Sequence, residues 1–276
     1  MSVCEKTNGG VSYDSSTLLE EAGGICHGFS TRLGGVSEGI WSSMNLGTTR
    51  GDEPEHVREN YRRFCAAIGA DVKRIVMSNQ VHSAQVRLVT TADVKKDLYD
   101  PERYETDGLI TDIPGLALVV FAADCIPVLL YDPVRRVIGA AHAGWRGTAA
   151  GIAAKTVEKM SLTFGCRPED MVAAIGPGIG RCCFETHEDV PNAMTEKLGA
   201  AALPFIQSLP AGKFRVDLKG LNAAWLKKAG VPERQIDCSE ACTVCRCDRY
   251  WSHRATEGKR GSGASIIMLK ESEATL

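Results

Sequence analysis

Cys125 and His142, two side chains of the types that bind transition metals, lie in adjoining apolar runs of the sequence. Residues 132–135 between these runs predict a hairpin with a tight turn. If the two middle residues form that turn, Cys125 and His142 are directly opposed, with Cβ atoms ~4.5–5.5 Å apart. This spacing suits two ligands of one metal ion, although Pro127 cannot donate to the ladder and favours a bulge.

A third ligand would complete a catalytic zinc site, which keeps one position open for water or substrate. Among the six histidines, His82 is distinguished by its place between polar residues at the start of a predicted strand. We therefore predict a metal site formed by His82, Cys125 and His142. The alternative interpretation is a small core cysteine and hydrogen-bonded surface histidines.

The predicted strand that ends at His142 leads through Gly144 and Gly147 into a helix starting near Thr148. Free backbone N–H groups and the helix dipole favour an anion at such a turn. Arg146 adds a guanidinium that can bind phosphate in bidentate fashion. The sequence therefore predicts an anion site beside the metal. The alternative is that Arg146 is a surface charge and the glycines only form the turn.

Four cysteines lie close together near the C-terminal end: Cys238, Cys242, Cys245 and Cys247. Their spacing does not form two CxxC knuckles, which argues against a structural zinc site made from this set. We expect reduced thiols in a loop-to-strand connection, with at most Cys242 buried.

The elements that position these residues follow from hydrophobic periodicity. Three helices are predicted, one capped by Asp52 and running from Pro54 to Gly69, and the others over 148–164 and 217–229. Strands are predicted at 74–77, 86–89, 108–111, 116–131, 137–142, 172–175 and 265–269. The elements mix without βαβ alternation, which predicts an α+β fold of mixed or antiparallel sheets flanked by helices. No linker divides the chain, so residues 1–276 are expected to form a single domain.

Composition restricts the class of protein. The chain has 276 residues and a formal net charge of -2, so no basic surface indicates nucleic-acid binding. Residues 1–10 lack the apolar core of a signal peptide, and the longest apolar stretch, 116–130, is too short to span a bilayer. We expect a soluble cytoplasmic protein with no nucleic-acid or membrane partner, whose eleven cysteines are free thiols or metal ligands. The oligomeric state stays open.

Several motifs, in order, resemble the laccase-domain family over about residues 27–269. They are HGFSTRLGGVSEGIWSSMNLG (27–47), NQVHSAQV (79–86), TDGLIT (106–111), ADCIPVLLYD (123–132), AAHAGWRG (140–147) and IGPGIGRCCFE (175–185). Members of this family, first described as multicopper polyphenol oxidases, are now described as zinc-dependent purine nucleoside phosphorylases that also deaminate adenosine. The resemblance implies zinc bound by His82, Cys125 and His142. It also implies phosphorolysis of adenosine, inosine, guanosine and S-methyl-5′-thioadenosine.

The resemblance leaves the other site residues to be assigned. Asp124 and Glu185 are our candidates for moving protons, and Arg32, Asn45 and Arg146 are candidates for binding substrate and phosphate. The chain departs from the family at residues 250–255 and 261–263, so its preference among nucleosides stays open.

Two other functions must be weighed. A copper-dependent polyphenol oxidase is one, because a His/Cys/His set also binds copper. With six histidines and no His-x-His pair, however, the chain cannot ligate four coppers in the usual way. The other is a non-enzymatic metal or redox protein that uses the C-terminal cysteines.

Overall fold

The computed structural model describes residues 3–271 and contains fifteen strands and seven α-helices there. The strands, in chain order, are Val3–Asn8 (β1), Val11–Ser16 (β2), Ile25–Ser30 (β3), Ile75–Val76 (β4), Val86–Leu88 (β5), Gly108–Thr111 (β6), Ala117–Ala122 (β7), Ile126–Asp132 (β8), Val137–Ala143 (β9), Val172–Ile175 (β10), Glu185–Thr186 (β11), Ile206–Ser208 (β12), Phe214–Val216 (β13), Ile236–Cys238 (β14) and Gly263–Leu269 (β15). The helices are Thr17–Ala22 (α1), Pro54–Ile68 (α2), Trp145–Ala149 (α3), Ile152–Phe164 (α4), Asp189–Leu198 (α5), Leu218–Lys228 (α6) and His253–Thr256 (α7).

The strands form three sheets. The first is six-stranded with order β1-β2-β3-β15-β7-β4, antiparallel except for the β4–β7 pair. The second is also six-stranded, with order β14-β10-β8-β9-β6-β5, and its two outer pairs are parallel. A small antiparallel sheet has order β11-β13-β12. The predicted α+β class, with mixed sheets flanked by helices in one domain, is confirmed.

The core consists of three apolar layers. Side chains from facing sides of the two large sheets, including Leu118 and Ile267 from the first and Leu129 from the second, form the middle layer. The other face of the first sheet packs against α2. The other face of the second sheet packs against α4, α5 and α6. Because both large sheets are covered on both faces, their central strands are apolar at almost every position.

The predicted helices exist, with corrected boundaries. α2 begins at Pro54 and ends at Gly69, which has φ 78°, but its N-cap is Glu53. Asp52 instead accepts hydrogen bonds from the side chains of Ser37 and Asn45. The helix predicted over 148–164 starts earlier, at α3, and is interrupted at Gly151, where φ is +75°. None of the helices within residues 3–271 has the length and apolarity needed to cross a membrane.

The strand predicted over 116–131 is two strands in different sheets. β7 belongs to the first sheet and β8 to the second, so the chain crosses between the sheets at residues 123–125. The sequence does not show this break because apolar residues continue on both sides of it. Cys125 therefore lies at the junction between the two sheets rather than within a strand.

The predicted hairpin register was wrong by two residues. His142 pairs with Pro127, and Asp132 pairs with Val137, so four residues rather than two connect β8 to β9. The Asp132 carboxylate accepts backbone N–H bonds within this longer turn, and Arg136 adopts a φ of 54° there. A shift of two residues preserves which residues of β8 and β9 share a face, because side chains alternate faces with period two. Cys125, just before β8, still has its sulfur within 4.8 Å of a ring nitrogen of His142.

Candidate metal centre

His82, Cys125 and His142 converge at the junction of the two large sheets. His82 lies in the loop between β4 and β5, Cys125 directly precedes β8, and His142 is on β9. Their ligand atoms all lie within 4.8 Å of one another, and Cys125 Sγ is 3.9 Å from His82 Nε2. Zinc bonds of about 2.1 Å to nitrogen and 2.3 Å to sulfur place tetrahedral ligand atoms about 3.6 Å apart. The three side chains therefore have the donor types and spacing that a zinc ion needs.

A buried carboxylate, Asp107, orients both histidines. Its Oδ1 accepts a hydrogen bond from the backbone N–H of His82 at 3.0 Å and lies 2.8 Å from His142 Nδ1. Its Oδ2 accepts from the Ser83 N–H and hydroxyl and from the Val81 N–H. With Nδ1 held by Asp107, His142 presents Nε2 to a metal, a support that is common for metal-binding histidines.

Electrostatics at the three side chains favours the thiolate. Burial raises the pKa of the Cys125 thiol, but the imidazoles of His142 and His82 outweigh this and lower it to about 6. Burial lowers the pKa of His142, but Cys125 and Asp107 outweigh it and raise the pKa to about 9. The thiolate is the form of cysteine that binds metals, so the environment favours the ligand form of Cys125, whereas His142 must release a proton to bind an ion.

The backbone around the three side chains is constrained. His82 and Asp124 adopt φ values of 60° and 86°, which are strained for residues other than glycine. Asp124 is held there because its carboxylate accepts hydrogen bonds from the Thr243 hydroxyl and the Arg254 N–H, at 2.6 and 2.7 Å. Gly144 allows the close approach, since a Cβ at this position would lie 2.6 Å from His82 Cδ2.

Two adjoining cavities meet at this centre. One, of about 200 Å³, has a wall of mixed polarity, and among its polar lining residues are Thr48, Thr49 and Gln80. The other, of about 400 Å³, has an apolar wall that includes Trp145 and Phe184. His82 and Cys125 line both cavities. A ligand spanning both would pass beside His82 and Cys125.

Two arginines that the sequence analysis missed, Arg50 and Arg260, line both cavities. Burial and the nearby charge of Arg50 lower the pKa of Arg260 to about 10, so two cations face one space. Arg260 Nη1 donates to Gly261 O and Ser262 Oγ, while no group within residues 3–271 accepts a hydrogen bond from its buried Nε. A bound anion beside the two guanidinium groups would offset this repulsion.

Other predicted site residues have structural contacts instead. Arg32 donates to the backbone oxygens of Ser42 and Cys247, and its guanidinium stacks 4.2 Å from the Trp251 ring centroid. Asn45 is fully buried, and its Oδ1 accepts hydrogen bonds from the backbone N–H groups of Gly47 and Ser262. Neither Arg32 nor Asn45 lines either cavity, so we revise their assignment as ligands of substrate or phosphate. Asn45 positions the loop that carries Arg50.

The remaining predicted site residues lie outside the cavities or already contact other groups. Arg146 is exposed, with its guanidinium 4.2 Å from the Trp145 ring centroid, and it lines neither cavity. The Glu185 carboxylate is 2.6 Å from Lys213 Nζ, in an exposed ion pair on the small sheet. Asp124 does line the apolar cavity, but its two carboxylate oxygens already accept the hydrogen bonds described above.

Comparison with known proteins gives consistent matches. The family model described as "Multi-copper polyphenol oxidoreductase laccase" matches residues 26–270. The chain is 36% identical over 254 residues to purine nucleoside phosphorylase YlmD of Geobacillus stearothermophilus, covering 90% of this chain and 91% of that protein. It is 39% identical to a purine nucleoside phosphorylase of Deinococcus radiodurans, with coverage of 90% and 91%.

Solved structures share the fold. The crystal structure of the Bacillus licheniformis hypothetical protein YfiH has a TM-score of 0.90 at 36% identity, covering 96% of this chain and 99% of that one. The crystal structure of YlmD from Geobacillus stearothermophilus has a TM-score of 0.88 at 32% identity, covering 98% and 100%.

The contacts of Asp107 predict the effect of replacing it. We expect Asp107→Asn to weaken zinc binding at the three side chains about 10–100-fold, because an amide cannot accept all five hydrogen bonds that orient the histidines. Competition with a chelator measures the affinity. Ser83→Ala is the matched control, since it removes one donor to the same carboxylate and leaves the His142 contact. Equal zinc affinity in Asp107→Asn and the parent protein would contradict this role.

Proposed function

Because the chain belongs to the multi-copper polyphenol oxidoreductase laccase family and has relatives named purine nucleoside phosphorylases, we propose that it is a metal-dependent purine nucleoside phosphorylase. The proposed substrates are adenosine, inosine, guanosine and S-methyl-5′-thioadenosine, each with phosphate. We include deamination of adenosine to inosine as a second activity. The observation that carries the proposal is the position of the three metal-binding side chains, where a cavity lined by two arginines meets an apolar cavity.

Zinc is the proposed metal, held by His82, Cys125 and His142. Three protein ligands with one open position are typical of catalytic zinc. When bound, the ion supplies a Lewis acid that polarises an electron-rich atom of the substrate or of water. Asp107 keeps the His142 ring oriented for this role through the 2.8 Å contact at Nδ1.

Arg50 and Arg260 are the proposed phosphate ligands. Both line the cavity beside Cys125, and burial and the charge of Arg50 lower the pKa of Arg260 there, as expected for two cations that share one space. Guanidinium groups bind phosphate oxygens in bidentate fashion, and the hydroxyls of Thr48 and Thr49 line the same cavity. Phosphate held there would be oriented to attack the anomeric carbon of a nucleoside.

The apolar cavity is the proposed purine site. Trp145, Ile179 and Phe184 give it a surface on which a planar base can pack, and His253 and Arg254 also line it. In phosphorolysis the C1′–N9 bond breaks as the phosphate oxygen bonds C1′, and the departing purine takes a proton. His253, which lines this cavity, is our proposed donor of that proton. We propose His253 in place of Asp124 and Glu185, because the carboxylates of those two residues already contact other side chains or backbone groups.

A copper-dependent polyphenol oxidase is the second candidate, because the matching family model carries that description. One His/Cys/His set among residues 3–271 can hold a single copper ion. The two functions predict different metals and different substrates, so one preparation distinguishes them.

The test is an assay of protein purified without added copper. We expect zinc in the protein, phosphate-dependent release of hypoxanthine from inosine, and conversion of adenosine to inosine. Cys125→Ala should abolish nucleoside turnover and remove the ion held by the three side chains, while thermal unfolding stays cooperative. Copper content with oxidation of phenols and no consumption of nucleoside would favour the oxidase. Full phosphorolysis by Cys125→Ala would refute the proposed site.

A pair of variants tests whether Arg260 or Arg146 binds phosphate. Arg260→Gln should raise the KM for phosphate about 10–100-fold, the loss expected for charge-assisted hydrogen bonds of about 1.5–3 kcal/mol. Adenosine deamination should change far less, because it uses no phosphate. Arg146→Gln should leave the KM for phosphate within about 2-fold, as expected for an exposed side chain outside both cavities. The reverse order of effects would restore Arg146 as the phosphate ligand.

A further inference from the structure

Four thiols from two distant turns form a second cluster, separate from the centre described above. Cys182 and Cys183 lie in the turn before β11, and Cys242 and Cys245 lie in the turn that follows β14. Their sulfur atoms are all within 4.8 Å of one another. Cys245 Sγ is 3.6 Å from Cys182 Sγ and 3.4 Å from Cys183 Sγ.

The cluster has different members from the set considered in the sequence. Cys238 is outside it, with its Sγ near Ser239 O, and Cys247 is also outside it. Cys182 and Cys183 take their places. The sequence analysis considered only the cysteines near the C-terminal end, and of these only Cys242 is buried, as expected, and all are free thiols. The other pair of the cluster lies about sixty residues earlier in the chain.

Backbone N–H groups surround one of the four sulfurs. Gly180 N is 3.2 Å from Cys242 Sγ, and the N–H groups of Val244 and Cys245 also donate to it. Three donors on one sulfur are more than a neutral core thiol needs, since a thiol is only a weak acceptor. They suit a sulfur that carries negative charge, as a metal-bound thiolate does.

We propose that Cys182, Cys183, Cys242 and Cys245 bind a second zinc ion with a structural role. Zinc–sulfur bonds of about 2.3 Å place the sulfurs of a tetrahedral site about 3.8 Å apart, close to the distances in the cluster. Cys242 and Cys245 have the Cys-x-x-Cys spacing common in structural zinc sites. Four protein ligands leave no open position, so this ion binds no substrate.

The ion would hold together the wall of the apolar cavity. It would join the turn that leads to Phe184 to the turn that contains Thr243. Thr243 donates to Asp124, the residue before Cys125, and Arg254 Nη1 donates to Cys183 O at 3.4 Å. Loss of the second ion would therefore loosen the support of Asp124 without removing any ligand of the first ion.

Metal content of purified protein tests this proposal independently of nucleoside activity. Protein prepared under reducing conditions without added metal should contain two zinc ions per chain, one for each cluster. Cys245→Ser should lose one of them, and Cys125→Ala should lose the other. The matched control is Cys247→Ser, an exposed cysteine in the same turn but outside the cluster, which should retain both.

If Cys245→Ser does not fold, cobalt substitution in Cys125→Ala tests the four-cysteine site instead. One equivalent of Co²⁺ with the strong charge-transfer absorption of a tetrahedral four-thiolate site is the expected result. Absence of that spectrum would overturn the proposal, as would a disulfide among the four cysteines found by mass spectrometry of the parent protein. Iron in place of zinc, or unchanged metal content in a folded Cys245→Ser protein, would also overturn it.

Discussion

The carboxylate of Asp107 joins the two histidine-bearing segments of the metal centre. It is fully buried, and each of its oxygens accepts at least two hydrogen bonds from residues 81–83 and 142. These bonds hold the loop of His82, which has positive φ, against the strand of His142. An unpaired buried carboxylate is costly, so the loop conformation and the carboxylate stabilise each other.

The stacking of the two large sheets explains why Cys125 lies beside His82 and His142. The chain leaves the first sheet after β7 and enters the second at β8, and Cys125 occupies the crossing. Asp124 makes the sharp bend with a φ of 86°, and Thr243 and Arg254 stabilise it. The C-terminal segment thus supports the centre from outside, through a contact between distant parts of the chain.

Much of this architecture follows from local sequence pattern, and the errors have physical causes. Two predicted strands, 108–111 and 172–175, match β6 and β10 because they are short, mainly apolar and buried at every position. The register error between β8 and β9 reflects a turn whose length depends on the Asp132 side chain. Rare residue types pointed to the three proposed metal ligands, whereas the positions of Arg50, Arg260 and the Cys182–Cys183 pair depend on long-range contacts. Asp107 is part of the TDGLIT motif, but its role could not be predicted, because its hydrogen-bond partners come from other parts of the chain.

Anomalous X-ray diffraction from crystals of the purified protein tests the central claim most directly, that His82, Cys125 and His142 hold zinc. Data collected just above and just below the zinc absorption edge locate the ion and identify it together. We predict an anomalous peak between His82 Nε2, Cys125 Sγ and His142 Nε2 that disappears below the zinc edge. A peak that persists down to the copper edge, or no peak among these three atoms in active protein, would contradict the account.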